Sequence, residues 1–321
     1  MGRLVDGKWD TRPVRAAESD GRFKRKDSSF RDRVTADGSS GFKAEAGRYH
    51  LYVSLACPWA HRTLIFRKLK RLETAIGVSI VDWQIVDDGW VFSAREGCVP
   101  DTVNGAAFVR DLYVKADPAY TGSVTVPVLW DKATGTIVNN ESSEIIRMLN
   151  SEFDAFGDAS LDFYPAALRS EIGSINAPVY DHINNGVYKT GFARSQAAYE
   201  EAYDNLFRTL DEVEDRLGRQ RYLVGNRITE ADWRLFATLI RFDAVYHGHF
   251  KCNRQSIADF ANLSNYTRDL YQVPGIAETV NMHHIKGHYY ASHRQINPSG
   301  IVPKGPVLDF TAPHDRAQFA A

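Results

Sequence analysis

The sequence predicts two domains of different class, an α/β domain followed by an all-α domain, and three observations lead there. A β-α-β pattern between Tyr49 and Val86 is followed, after a long insertion, by a β-β-α pattern ending near Ser151. Strand-like alternation then all but ceases, and apolar residues recur at helical spacing. A chain of 321 residues is also longer than one small core organises.

The elements follow in chain order. Residues 1–46 are polar and lack sustained periodicity, which predicts an irregular extension. Tyr49 to Leu55 alternates and then becomes apolar, a strand. Pro58 suits the first turn of a helix, where its missing N–H would be unbonded anyway, and the helix continues to about Leu72. "VSIVDWQIV", Val78 to Val86, is a second strand, separated from the first by the length that a parallel crossover requires. Residues 87–123 carry Gly and Pro punctuation and are too long for a plain connection, so they read as a functional insertion. Val126 to Trp130 and Thr136 to Val138 form two strands about a turn, and a helix opens near Glu141. Farther on, Ala198 to Leu217 and Glu230 to His247 have helical spacing, and "ITEAD" marks a helix start with Thr229 as N-cap, Asp232 closing a capping box and Ile228 as staple. The expected organisation is an extension at 1–46, an α/β domain at 47–155, a helical domain at 156–296 and an extended tail at 297–321.

Composition narrows the function. With 39 basic and 40 acidic residues the net charge is −1, so no global attraction to nucleic acid or anionic membrane exists. The first 34 residues hold ten Lys or Arg against six Asp or Glu, including "FKRK" at Phe23 to Lys26, but the interleaved acids predict a solvated arm. No apolar run of about 18 residues occurs, and no apolar core follows the first basic residues, so a cytoplasmic protein is expected. Cys57, Cys98 and Cys252 are odd in number and far apart, which excludes a disulfide framework and a Cys-rich zinc site. Cys98 and Cys252 read as inert buried thiols.

Cys57 differs because it stands in the turn between a strand and a helix. There the helix's unpaired N–H groups and positive dipole end favour thiolate, the nucleophilic form. In Cys-x-x-Cys redox proteins a second thiol resolves the mixed disulfide; here that place is Ala60, so resolution needs a thiol from outside. In the thioredoxin-like fold a proline such as Pro127, opening a strand in "TVPV", is cis and faces the active cysteine. In "NNESSE", Glu141 and Ser142 open a helix whose hydroxyl and N–H groups can hold a carboxylate while Glu141 accepts from an ammonium, although a plain capping segment would look the same. His284 and His288, four apart in "MHHIKGHYYASH", could meet as metal ligands; with Gly287 between them and no helical acid nearby, no metal is expected.

The order of "CPWA", "VPV" and "NESSE", followed by a helical domain with "ITEADW", resembles the glutathione transferases, in which a thioredoxin-like domain binds glutathione and an all-helical domain binds the second substrate. "SLACPWAHR", "DDGWVF", "DLYVKADPAYTGSVTVPVLWDK", "NNGVYKTGFA" and "HIKGHYYASH" are similar to one branch, the glutathionyl-hydroquinone reductases or xi class. The resemblance runs from about Leu51 to His293. It implies that Cys57 attacks the sulfur of a glutathionyl-hydroquinone and that a second glutathione releases the resulting mixed disulfide. It implies glutathione contacts at Trp90, Val126, Pro127, Glu141 and Ser142, and aromatic-substrate contacts at Tyr188, Tyr289 and Tyr290. A phenol suits that task because it stacks on a ring and donates a proton to a leaving hydroquinone. Glutathione enters as co-substrate, and a homodimer is expected because transferase-like chains usually pair. A general glutathione transferase or dehalogenase remains an alternative, as does a non-catalytic assembly module, because fold does not fix function.

Overall fold

A computed structural model of the chain describes residues 2–12 and 18–319. Its strands are β1 (Arg3–Val5), β2 (Lys8–Asp10), β3 (Val34–Thr35), β4 (Phe42–Lys43), β5 (Tyr49–Val53), β6 (Gly77–Ile80), β7 (Val128–Asp131) and β8 (Thr136–Asn139). Its α-helices are α1 (Pro58–Leu69), α2 (Val109–Ala116), α3 (Ser142–Ser151), α4 (Arg169–Pro178), α5 (Gly186–Gly191), α6 (Gln196–Leu217), α7 (Glu230–Arg241), α8 (His247–His249), α9 (Ala261–Tyr271) and α10 (Met282–Ser292). The chain divides into two compact units. The first comprises Met1–Val14, Lys26–Asp162 and Glu278–Ser292; the second comprises Arg15–Arg25, Phe163–Ala277 and His293–Ala321.

In the first unit a four-stranded sheet runs in the order β6-β5-β7-β8. Strand β5 is parallel to β6, with Leu51 opposite Val78, and antiparallel to β7, with Leu51 opposite Leu129. Every residue of β5 and β7 is buried, as expected of central strands covered on both faces. Strand β6 stops at Ile80, short of the expected Val86, although the sequence stays apolar. The Asp82 carboxylate turns the chain there by accepting from Gln84 N–H and Ser93 Oγ, both at 2.8 Å.

The insertion is ordered and contains α2. Its Asp101 carboxylate gathers the N–H groups of Val103, Asn104 and Ala106 at 2.9–3.0 Å and the Tyr52 hydroxyl at 2.8 Å. The N-terminal segment is also more structured than its polarity suggests. Strands β1 and β2 form a hairpin, and residues 28–34 run from Asn140, just before α3, to Met148 within it.

Helix α10 belongs to the first unit, although its place late in the chain assigns it to the helical domain. It is held there by His284, on the Glu96 carbonyl at 2.8 Å, by His288, on the Trp83 carbonyl at 2.8 Å, and by Ser292, whose Oγ accepts from Ile85 N–H at 3.0 Å. Gly287 permits the close approach, since a β-carbon there would lie 2.8 Å from the Trp83 ring.

The second unit is helical. All twelve residues of α7 are buried, and its capping box forms as expected, with Thr229 N–H donating to Asp232 Oδ2 at 2.8 Å. Asp232 also accepts from Leu223 N–H and the Tyr266 hydroxyl at 2.8 Å, which satisfies a carboxyl that burial pushes up. The tail returns onto this unit through Arg316, which is buried and donates to the Leu217 and Arg221 carbonyls at 2.8 and 2.9 Å.

Candidate active site

Strand β5 ends at Val53, and the chain turns through Ser54, whose carbonyl accepts from Cys57 N–H at 3.2 Å. Cys57 is the N-cap of α1, extended at φ −74° and ψ 121°, and its carbonyl makes the first helical bond, to His61 N–H at 2.9 Å. Pro58 follows as the first helical residue. The thiol is therefore fixed at the positive end of a twelve-residue helix, and it is 8% exposed. Its Sγ donates toward the Val126 carbonyl at 3.5 Å. The bond from Val126 to Pro127 is cis, and both residues are buried. Ala60, in the place of a resolving thiol, is fully buried.

Glu141 caps α3, accepting from Ser143 N–H at 3.0 Å and Ser143 Oγ at 2.8 Å, and Ser28 Oγ donates to its other oxygen at 3.1 Å. Ser142 is buried, and its Oγ accepts from the Arg62 guanidinium at 3.4 Å. Arg62 in turn lies over the Trp59 ring, 4.6 Å from its centroid. The polar groups at this helix start are thus presented in fixed orientation, as carboxylate and ammonium recognition demands.

Trp90 stacks on His288 with centroids 5.1 Å apart and planes at 17°, and the neighbouring Tyr289 meets His288 edge-on at 5.2 Å. Tyr289 is almost fully buried, whereas Tyr290, next along α10, is half-buried with its phenol pushed up by burial. Cys57, Trp90, Val126, Pro127, Glu141, Ser142, Tyr289 and Tyr290 all fall in the first unit. Tyr188 falls in the second, on α5, packed among Phe23, Phe192, Tyr246 and Phe250.

Neither of the other two thiols caps a helix. Burial pushes up both Cys98, which is half-buried beside Ser93, and Cys252, which is fully buried. His284 is buried on the Glu96 carbonyl, and burial pulls its imidazole down. Among the described residues no group of three His, Cys, Asp or Glu could hold a metal ion.

Several site residues escaped the sequence reading. Asn140 exchanges two bonds of 3.1 Å with the Phe30 backbone and donates to the Tyr113 hydroxyl at 2.9 Å. That hydroxyl donates to the Thr125 carbonyl at 2.9 Å, next to Val126, and is pushed up to about 12 by burial. Asn139 receives Glu141 N–H at 2.7 Å. Both asparagines stood inside the "NNESSE" motif, but Asn140's partners Phe30 and Tyr113 lie 110 and 27 residues away and leave no local trace, whereas the contact of Asn139 with Glu141 is local.

Two family models match the chain: the N-terminal domain of glutathione S-transferase over residues 56–152 and the C-terminal domain over residues 196–269. The glutathionyl-hydroquinone reductase YqjG of Escherichia coli is 53% identical, with 98% of each chain covered. The glutathionyl-hydroquinone reductase PcpF of Sphingobium chlorophenolicum is 54% identical over 96% of this chain and 97% of its own. A xi-class glutathione transferase from Natrialba magadii superposes with a TM-score of 0.94 at 52% identity, covering 99% of this chain and 97% of its own. The glutathione-bound structure of YqjG superposes with a TM-score of 0.91 at 52% identity, covering 98% of this chain and 99% of its own.

Proposed function

Because the chain belongs to the glutathionyl-hydroquinone reductases, the xi class of glutathione transferases, we propose that it reduces glutathionyl-hydroquinones to hydroquinones through a mixed disulfide on Cys57. One observation carries the mechanism: a cysteine caps a helix opposite the carbonyl that precedes a cis-proline, with alanine where a resolving thiol would stand.

In the first half-reaction the Cys57 sulfur bonds to the glutathione sulfur of the conjugate. The aryl carbon–sulfur bond breaks, its electron pair goes to the ring carbon, and a proton joins that carbon. In the second, the thiolate of free glutathione bonds to the glutathione sulfur of the adduct, Cys57 leaves as thiolate, and oxidised glutathione departs. The ring gains hydrogen while the conjugate's thioether sulfur and one free glutathione thiol become one disulfide, so no other reductant is needed.

The Val126 backbone beside Pro127 takes the cysteinyl part of glutathione, Glu141 and Ser142 take its amino-acid end, and Trp90 packs against its body. Tyr188, with Tyr290 and Tyr289 of α10, serves the aromatic half as proton donor and stacking surface. We assign the enzyme to the cytoplasm as a homodimer; no described helix is long and apolar enough to cross a membrane.

The test is a steady-state assay with 2-glutathionyl-1,4-hydroquinone and excess glutathione, with products identified. Stoichiometric hydroquinone and oxidised glutathione are expected, and intact mass after exposure to oxidised glutathione should show one adduct. Formation of a thioether with no adduct would instead indicate a general transferase.

A further inference from the structure

Phe23 and Arg25 of the basic stretch "FKRK" belong to the second unit and lie against Tyr188. The Arg25 guanidinium carbon lies 4.8 Å from the Tyr188 ring centroid and 5.6 Å from that of Phe23. Its Nε donates to Asn185 Oδ1 at 3.0 Å. Asn185 is buried, and its carbonyl accepts from Tyr188 N–H at 3.0 Å, so the cation is seated over the phenol by that phenol's own helical turn. Phe23 and Phe192 stack on the same ring at 6.5 and 6.2 Å, and Phe250 meets it edge-on at 5.5 Å.

A cation over a neutral phenol is held by the ring quadrupole. When the hydroxyl proton leaves, negative charge spreads into the ring, and the attraction strengthens toward that of an ion pair. Tyr188 is itself buried, which weakens the screening of that attraction. Resting on the reading of Tyr188 as a proton donor, we propose that Arg25 is a positioning residue that holds Tyr188 and stabilises its phenolate as the hydroquinone departs. In that step the Tyr188 proton goes to the ring carbon that loses sulfur, and the phenolate recovers a proton from solvent afterwards. The arm that composition describes as solvated is thereby part of the reaction's specificity, favouring conjugates whose release needs a strong acid.

The experiment is a double-mutant cycle on the full-length enzyme, reading single-turnover hydroquinone release from 2-glutathionyl-1,4-hydroquinone. Arg25→Gln should slow release about 2- to 30-fold, the span of exposed to desolvated cation–π contacts, with KM for the conjugate little changed. Arg25→Lys should restore most of the rate, and glutathione reduction of the preformed Cys57 adduct should be unaffected in either. In a Tyr188→Phe background, Arg25→Gln should cost nothing further. Additive losses, or an Arg25→Gln enzyme with the wild-type release rate, would overturn the inference while leaving the Tyr188 assignment intact. A Tyr188→Phe enzyme that releases hydroquinone normally would defeat that assignment itself. Should Arg25→Gln fail to fold, Asn185→Ala removes the seat of the guanidinium and must give the same pattern.

Discussion

The Cys57 sulfur and the Val126 carbonyl oxygen stand 3.5 Å apart, across the gap between the start of α1 and the residue before Pro127. In the proposed reaction the nucleophile is thus registered against the backbone that presents a thiol substrate, and the groups at Glu141 and Ser142 lie at the start of a different helix. Cys57→Ser should therefore abolish hydroquinone formation, because a hydroxyl forms no mixed disulfide, while the dissociation constant for glutathione stays within a few-fold. Cys98→Ser and Cys252→Ser should keep most activity. Turnover by Cys57→Ser at the wild-type rate would sink the thiol assignment.

Ala60→Cys places a second thiol one helical turn from Cys57, in a buried position. An internal disulfide should then compete with the second glutathione, so turnover should depend less steeply on glutathione concentration. Mass spectrometry after mild oxidation should find the two cysteines linked.

The tyrosines separate the half-reactions. Hydroquinone departure needs a proton, whereas attack of glutathione on the Cys57 adduct needs only access and a thiolate. Tyr188→Phe and Tyr290→Phe should slow single-turnover release by roughly 10- to 1,000-fold, within or just below typical general-acid contributions, and leave adduct reduction unchanged. Tyr289→Phe, at a nearly inaccessible position, should do less. Equal slowing of both steps would mean that these phenols only support the fold.

Asn140 ties Phe30, Tyr113 and Thr125 to the start of α3. Asn140→Ala removes a bond to a buried tyrosine hydroxyl and should destabilise the fold by about 1–3 kcal/mol. It should also raise KM for glutathione more than it lowers the rate of the first half-reaction at saturation. Urea unfolding and half-reaction kinetics on the same variant check both parts.

Arg48 and Asp131 form a two-pronged pair at 2.8 and 2.7 Å, with the aspartate side chain wholly inaccessible. Burial alone would raise the Asp131 carboxyl, but bonds from Arg48, Thr134 and Ala133 N–H outweigh it and hold the group below its ordinary 3.8. Such a group contributes stability that is complete above its unfolded value and is lost as pH falls through the lower folded one. Arg48→Gln should cost about 3 kcal/mol at neutral pH, the low end for breaking a buried pair, because Thr134 and Ala133 still serve the carboxylate. The difference between wild type and variant should shrink below pH 4; a constant difference down to pH 2 would contradict the linkage.

The sequence by itself determined the class of both parts, the cysteine at a helix start, the proline that follows it, and the capping of α3 and α7. Each of these is written within a few residues: alternation, a turn, a cap. Only the tertiary structure decided that β6 ends at Ile80, since Asp82 turns the chain while apolar spacing continues to Val86. It alone brought α10 into the first unit, through His284, His288 and the space left by Gly287 beside Trp83. It alone set Ser28 on Glu141, 113 residues away, and Arg25 on Asn185, 160 residues away. Periodicity records that one face of an element is buried but not what buries it, and a polar residue's partner across such a distance is chosen by geometry that exists only once the chain has folded.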